Sequence, residues 1–195
     1  MIASRAEIIS STVGGARLLF FKADGLQRLD RDAGAPWRSF FAWFLCLPAL
    51  FLFLESLHSA IPLEDNTPHF YALWVLTSAV DWLAFPVLLL AIARYLPLRM
   101  RAPYFIQAVN WMSVPAQYVF LLASWVADSA LLPYEIAQSL GDIVLIWFLV
   151  VEGWLARRIL SLTMGQALLL VLLHFMLGYA LREWAIGRTL LMLAD

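Results

Sequence analysis

Residues 70–101 read FYALWVLTSAVDWLAFPVLLLAIARYLPLRMR. Between Phe70 and Ala93 the only charged residue is Asp81, and the run then ends in Arg94, Arg99 and Arg101. About twenty apolar residues, at ~1.5 Å each, are what a helix needs to cross a hydrocarbon core of ~30 Å. A basic cluster directly after such a run marks the membrane face that keeps positive charge. The stretch therefore predicts a membrane helix, orients it, and places one carboxylate near its middle.

Four further runs have the same character. The predicted spans are 37–61, 70–95, 104–127, 134–156 and 164–186. Pro36 suits a first helical turn, and Trp37-Arg38 suits an interfacial anchor. Pro97 and Pro103 bracket the basic loop. The chain has 13 Lys and Arg. Six precede the first span (Arg5, Arg17, Lys22, Arg28, Arg31, Arg38), three surround the second connection, and Arg157 and Arg158 lie in the fourth. The first and third connections hold none. This alternation puts the N-terminus in the cytosol and, with five crossings, the C-terminus outside. Arg182 and Arg188 are the exceptions, so residues 178–195 either span or lie at the interface.

Composition agrees. The chain is 63% hydrophobic and 14% charged, with a mean hydropathy of +0.81. A soluble domain is nearer half apolar and a quarter charged. The expected fold class is an all-α membrane protein: a bundle of five transmembrane helices (37–195) with a short N-terminal cytosolic or interfacial arm (1–36). Within the arm, Ala16–Leu29 reads either as a surface helix or as part of a loose tail. The net charge of −1 gives no broad basic field for nucleic acid. A single cysteine, Cys46, allows no internal disulfide. The absence of a signal peptide and the short connections suit a bacterial inner membrane.

No catalytic motif stands out, and the expectation is a non-enzyme without cofactor. His58, His69 and His174 form no metal-ligand pair, so no metal site is expected. What remains is polarity inside the spans. A carboxylate in hydrocarbon costs about 2.5–3.5 kcal/mol on insertion scales, so it faces protein or water. Asp81 sits near a midplane, with Thr77 and Ser78 one turn before it and Pro86 after it. It reads as a proton or cargo site, or as a hydrogen-bonded residue joining helices. Asn110, Ser113, Gln117 and Ser124 share a face of the third span, with Pro115 among them. Glu135, Gln138, Ser139 and Asp142 share a face of the fourth. Glu55, His58 and Ser59 cluster at the end of the first. Such stripes are more often interhelical contacts than pathways. Together they sketch a chamber open to the outer side, with Asp81 as its floor, Arg182 as counter-charge and His174 on a similar face. Glu152 reads as an ion pair or interfacial charge near Arg157-Arg158.

The stretch Ala16–Asp30, followed by Pro36-Trp-Arg-Ser-Phe-Phe-Ala42 and an apolar run with Pro48, resembles the start of small polytopic inner-membrane proteins of alphaproteobacteria, loosely labelled membrane proteins or transporters. The five-span layout with a cytosolic N-terminus is similar to the Yip1-like superfamily of membrane-shaping and scaffold proteins. These resemblances imply a binding or scaffolding protein with lipid bilayer and, through the N-terminal arm, other proteins as partners. The alternative is a small proton-coupled or passive transporter with a midplane site around Asp81 and Asp142, completed by Asn110 and Gln117. The sequence does not set the oligomeric state.

Overall fold

A computed structural model describes residues 3–59, 67–129 and 132–192, and these are helical throughout apart from turns and connections. The helices are α1 (Arg5–Leu19), α2 (Ala35–Arg38), α3 (Ala42–Ser59), α4 (Thr67–Ala93), α5 (Ala102–Asp128), α6 (Tyr134–Leu160) and α7 (Met164–Met192). Three stretches are long and apolar enough to cross a membrane: Ala35–His58, Thr67–Ala93 and Met164–Leu191. The other two long helices, α5 and α6, have 27 residues each. The five long helices overlap the predicted spans, with ends up to six residues away. The connection around Pro62, Glu64 and Asp65 lies outside the described residues. α7 continues unbroken to Met192, so residues 178–192 extend the helix and do not form a separate interfacial one.

The solvent the three apolar stretches fit is lipid. On α4, Leu76, Val80, Leu83 and Val87 recur at helical spacing and are 65%, 50%, 52% and 64% exposed. A stripe of that width would not stay in water.

α5 is the central helix. It packs against α1, α3 and α6, and more lightly against α4, while α7 lies against α4 and α6. Phe105, Trp111 and Met112 of α5 are fully buried, as are Gln107 and Asn110 or nearly so. The polar residues of α5 therefore meet protein. Gln107 donates to the Asp30 carbonyl (2.9 Å), and Asn110 donates to Ser39 Oγ (2.9 Å), which in turn donates to the Pro36 carbonyl (2.6 Å).

The arm is folded onto this core. Its helix begins at Arg5, earlier than the Ala16–Leu29 reading, and Ser4 caps it by accepting from the Glu7 amide (3.1 Å). Gly14 and Gly15 lie inside the helix and let it approach α5. A Cβ on Gly15 would fall 2.6 Å from the Trp111 carbonyl carbon and 2.9 Å from the Met112 nitrogen. That carbonyl has no helical donor, because Pro115, four residues on, lacks an N–H. Bare glycine backbone covers it. The Phe21 residue, at φ 56°, turns the chain out of α1. Its ring meets Trp147 and Trp154 edge-on at 5.3 and 5.6 Å, and the Trp147 indole donates to the Leu19 carbonyl (2.9 Å). Arg38 closes the arm. It is 8% exposed and bonds Glu7 (2.8 Å), Asp30 (2.9 Å) and Asp32 (2.7 Å).

Candidate functional site

A cavity of about 260 Å³ lies among α3, α4, α5, α6 and α7. Three of the residues singled out in the sequence, Asp81, Asn110 and Gln117, line it together. Counted from the end of the bundle where α4 stops and α5 starts, at ~1.5 Å per residue, Asn110 lies ~12 Å deep and Asp81 ~18 Å deep. The site is in the middle of the helices, not at a mouth.

Proline and small residues shape it. Pro86 cannot donate to the Trp82 carbonyl, which loosens α4 beside Asp81. Ser113 donates to its own helix at Val109 (2.9 Å), and Thr77 does so at Leu73 (2.8 Å). These hydroxyls keep lone pairs available. The Trp43 indole donates to Ser78 (3.1 Å), fixing that hydroxyl at the cavity wall. On α7, Gly178 lets the backbone come close: a Cβ there would sit 3.2 Å from Asp81 Oδ1.

One turn before Gly178, His174 faces the same space. Its ring stacks on Phe85 at 3.9 Å with an interplanar angle of 11°, which fixes its plane. Its Nδ1 is 2.7 Å from Glu152 Oε1 of α6. Glu152 is fully buried. Asp81 of α4 lines the same cavity as His174 of α7, whose ring Glu152 of α6 holds. Asp81 Oδ1 and Glu152 Oε2 are buried, and neither has a hydrogen-bond partner among the described residues. The Trp82 indole nitrogen is in the same position.

Several expectations change. Glu152 pairs with His174 and not with Arg157-Arg158. Reading along α6, the two arginines are its sequence neighbours, but the partner comes from α7. Asp142 is exposed and lies outside the cavity. Ten residues separate it from Glu152, which turns it ~80° around the helix at ~100° per residue. Glu55 also lies elsewhere, accepting from Tyr71 Oη (2.5 Å), and His58 contacts Thr67 (3.0 Å) beside the rings of Phe70 and Tyr71. These two tie α3 to α4. Arg182 is exposed and does not line the cavity, so it is no counter-charge to Asp81. Gln138's side chain lies outside the described set. The signal that could have found Glu152 was its depth: it sits two turns inside α6, beyond easy reach of the interface.

Among the described residues no group of three His, Cys, Asp or Glu side chains is placed to hold a metal ion. The chain matches no family model, no curated protein and no solved structure, so the geometry of this cluster carries the functional argument.

Proposed function

We propose that this chain is a five-crossing integral membrane protein that moves a small polar solute in step with protons. Asp81, His174 and Glu152 are the proton-handling groups, and the adjoining cavity is the solute site. One observation carries the reading: the Asp81 carboxylate of α4 and the His174 ring of α7, which the buried Glu152 of α6 holds, line one cavity together with amides and hydroxyls, deep in an apolar bundle. Asp81 Oδ1 and Glu152 Oε2 are buried without a hydrogen-bond partner among the described residues, which leaves each an acceptor for a proton. Buried ionisable groups of this kind ordinarily serve ions or protons. Burial also disfavours net charge, so the cluster holds Glu152 and His174 as a pair and leaves Asp81 to exchange either a proton or a charged solute.

The lengths of α5 and α6 support five crossings, and the burial of Gln107 and Asn110 removes the objection that α5 is too polar for lipid. The arginine distribution favours a cytosolic arm and an outer C-terminus, and the short connections suit a bacterial inner membrane. The reading is non-enzymatic and needs no cofactor. A Yip1-like scaffold acting through the arm has less support, since Arg38 already engages Glu7, Asp30 and Asp32, and Leu18 and Leu19 are buried against the bundle.

The test uses the full chain in liposomes loaded with a pH-sensitive dye. Amines, amino acids, sugars and carboxylates are added in turn. One class should shift the internal pH for the unsubstituted protein and fail to do so for Asp81→Asn. Folded protein that moves the internal pH with none of the four classes overturns the proposal.

A further inference from the structure

We propose that the solute taken by this cavity is a small organic cation, an ammonium compound held between the Asp81 carboxylate and an aromatic wall. The proposal rests on reading the cavity as the solute site. It comes from the charge and surface of the lining. Among the described residues no Lys or Arg lines the cavity, and His174 is the one basic group there. Its Nδ1 faces Glu152. That leaves Asp81 as the one lining carboxylate, with Oδ1 buried and unpartnered among the described residues. An anion entering this space would meet a carboxylate in a low-dielectric interior, with no cation to offset the repulsion. A cation would neutralise Asp81 and remove the cost of its burial.

The wall selects among cations. Trp43, Trp82, Phe85, Phe120 and Phe148 all face the cavity. Aromatic faces attract ammonium groups, most strongly when both are desolvated. A hard metal ion needs about six or more oxygens. Here the side-chain oxygens belong to Asp81, Asn110, Gln117, Ser78 and Ser113, and several already bond within the protein. Asn110's amide nitrogen is committed to Ser39, which leaves its oxygen as an acceptor. The lining is thus rich in acceptors and π-faces and poor in cationic donors. Volume sets the size. About 260 Å³ falls just below the ~300–1,000 Å³ of drug-sized sites. It corresponds to roughly eight or nine waters at ~30 Å³ each. A compound with a handful of carbons fits.

The experiment places the full chain in lipid nanodiscs and uses three probes of one shape. Choline carries the positive charge. The alcohol 3,3-dimethylbutan-1-ol is its neutral carbon isostere, and 3,3-dimethylbutanoate is the anion. Binding is read by equilibrium dialysis and by tryptophan fluorescence, since Trp43 and Trp82 lie in the wall. Choline should bind saturably, with the neutral isostere and the anion weaker by about tenfold or more. Asp81→Asn should weaken choline about ten- to a hundredfold. Protons should compete. The titratable groups facing the site are Asp81 from α4, His174 from α7, its partner Glu152 from α6, and Cys46 from α3; α5 contributes amides and a hydroxyl. The three-probe comparison needs no variant, so a folding defect in Asp81→Asn cannot obscure it. Equal or tighter binding of the isostere or the anion overturns the cation assignment. So does an absence of choline binding at millimolar concentration. The liposome assay is independent of this result. If another solute class moves the internal pH, proton-coupled transport stands while the cation assignment falls.

Discussion

Gly15→Ala tests whether the arm is held by backbone contact with α5. The added methyl would lie 2.6 Å from the Trp111 carbonyl carbon, against an ordinary contact of ~3.5 Å. The obstacle is helix backbone, which cannot rotate away as a side chain can. α1 must therefore retreat by close to ~1 Å. A gap of ~0.5–1 Å forfeits a quarter to a half of each dispersion contact along the interface, and Leu18 and Leu19 of α1 are among the buried residues that lose them. Overpacking of this kind costs about 1–3 kcal/mol. At roughly 2–4 °C per kcal/mol for a chain of this size, Tm in detergent should fall by about 3–10 °C. Limited trypsin cleavage at Arg17 and Lys22 should accelerate as the arm lifts. The tryptophan emission should shift red, because Trp147 loses its bond to the Leu19 carbonyl. Gly187 is the control. Nothing lies within 4 Å of a Cβ there, and it sits inside α7. Gly187→Ala should be neutral or stabilising by up to about 1 kcal/mol. If Gly15→Ala leaves Tm and the cleavage rate unchanged, α1 is not docked as described.

Arg38→Gln should release the arm from the start of α3 and cost about 2–4 kcal/mol, read as Tm, because the Glu7 side chain is 7% exposed and loses its charged partner while Asp30 and Asp32 are half exposed and can rehydrate. Glu152→Ala should cost about 3–5 kcal/mol by stranding His174, and Glu152→Gln, which keeps a hydrogen bond to the ring but not the charge, should cost nearly as much; a clearly smaller loss for Gln would contradict a charged pair. Acid should loosen the arm only at low pH. The hydrogen bond from Arg17 holds the Asp24 carboxyl below its usual range, and that from Arg38 does the same for Asp32. A carboxyl depressed in the folded state stabilises fully above its unfolded value of about 3.9 and loses that contribution as pH falls through the lower folded value. The tryptophan emission should therefore shift red, as Trp147 loses the Leu19 carbonyl, only below about pH 4, and a shift already at pH 5–6 would contradict these pairings.

The helices were legible because their causes are local. Apolar runs of sufficient length, ended by Pro62, Pro97, Pro103 and paired arginines, fixed where long helices begin and end. The arm was less legible. Gly14-Gly15 reads as punctuation in one dimension, and its actual role, bare backbone against the Trp111 carbonyl that Pro115 leaves without a donor, depends on a helix almost a hundred residues away. The site divided in the same manner. Asp81, Asn110 and Gln117 stood out because polarity in a membrane run is conspicuous by itself, and they do share a cavity. Asp142 was equally conspicuous but faces outward, and helical spacing cannot say which face of α6 the bundle covers. His174 was already placed on the chamber face, but Glu152 was separable from an ordinary interfacial charge only once α6 and α7 were side by side.

The most direct measurement is the infrared difference spectrum of the protein in lipid bilayers between pH 8 and pH 5, recorded for the unsubstituted chain, Asp81→Asn and Glu152→Gln. A bilayer-embedded cluster that exchanges protons with water should give a protonated-carboxyl band that changes with pH and disappears in Asp81→Asn. If no carboxyl band in that range depends on Asp81 or Glu152, the cluster is sealed from protons and joins helices only.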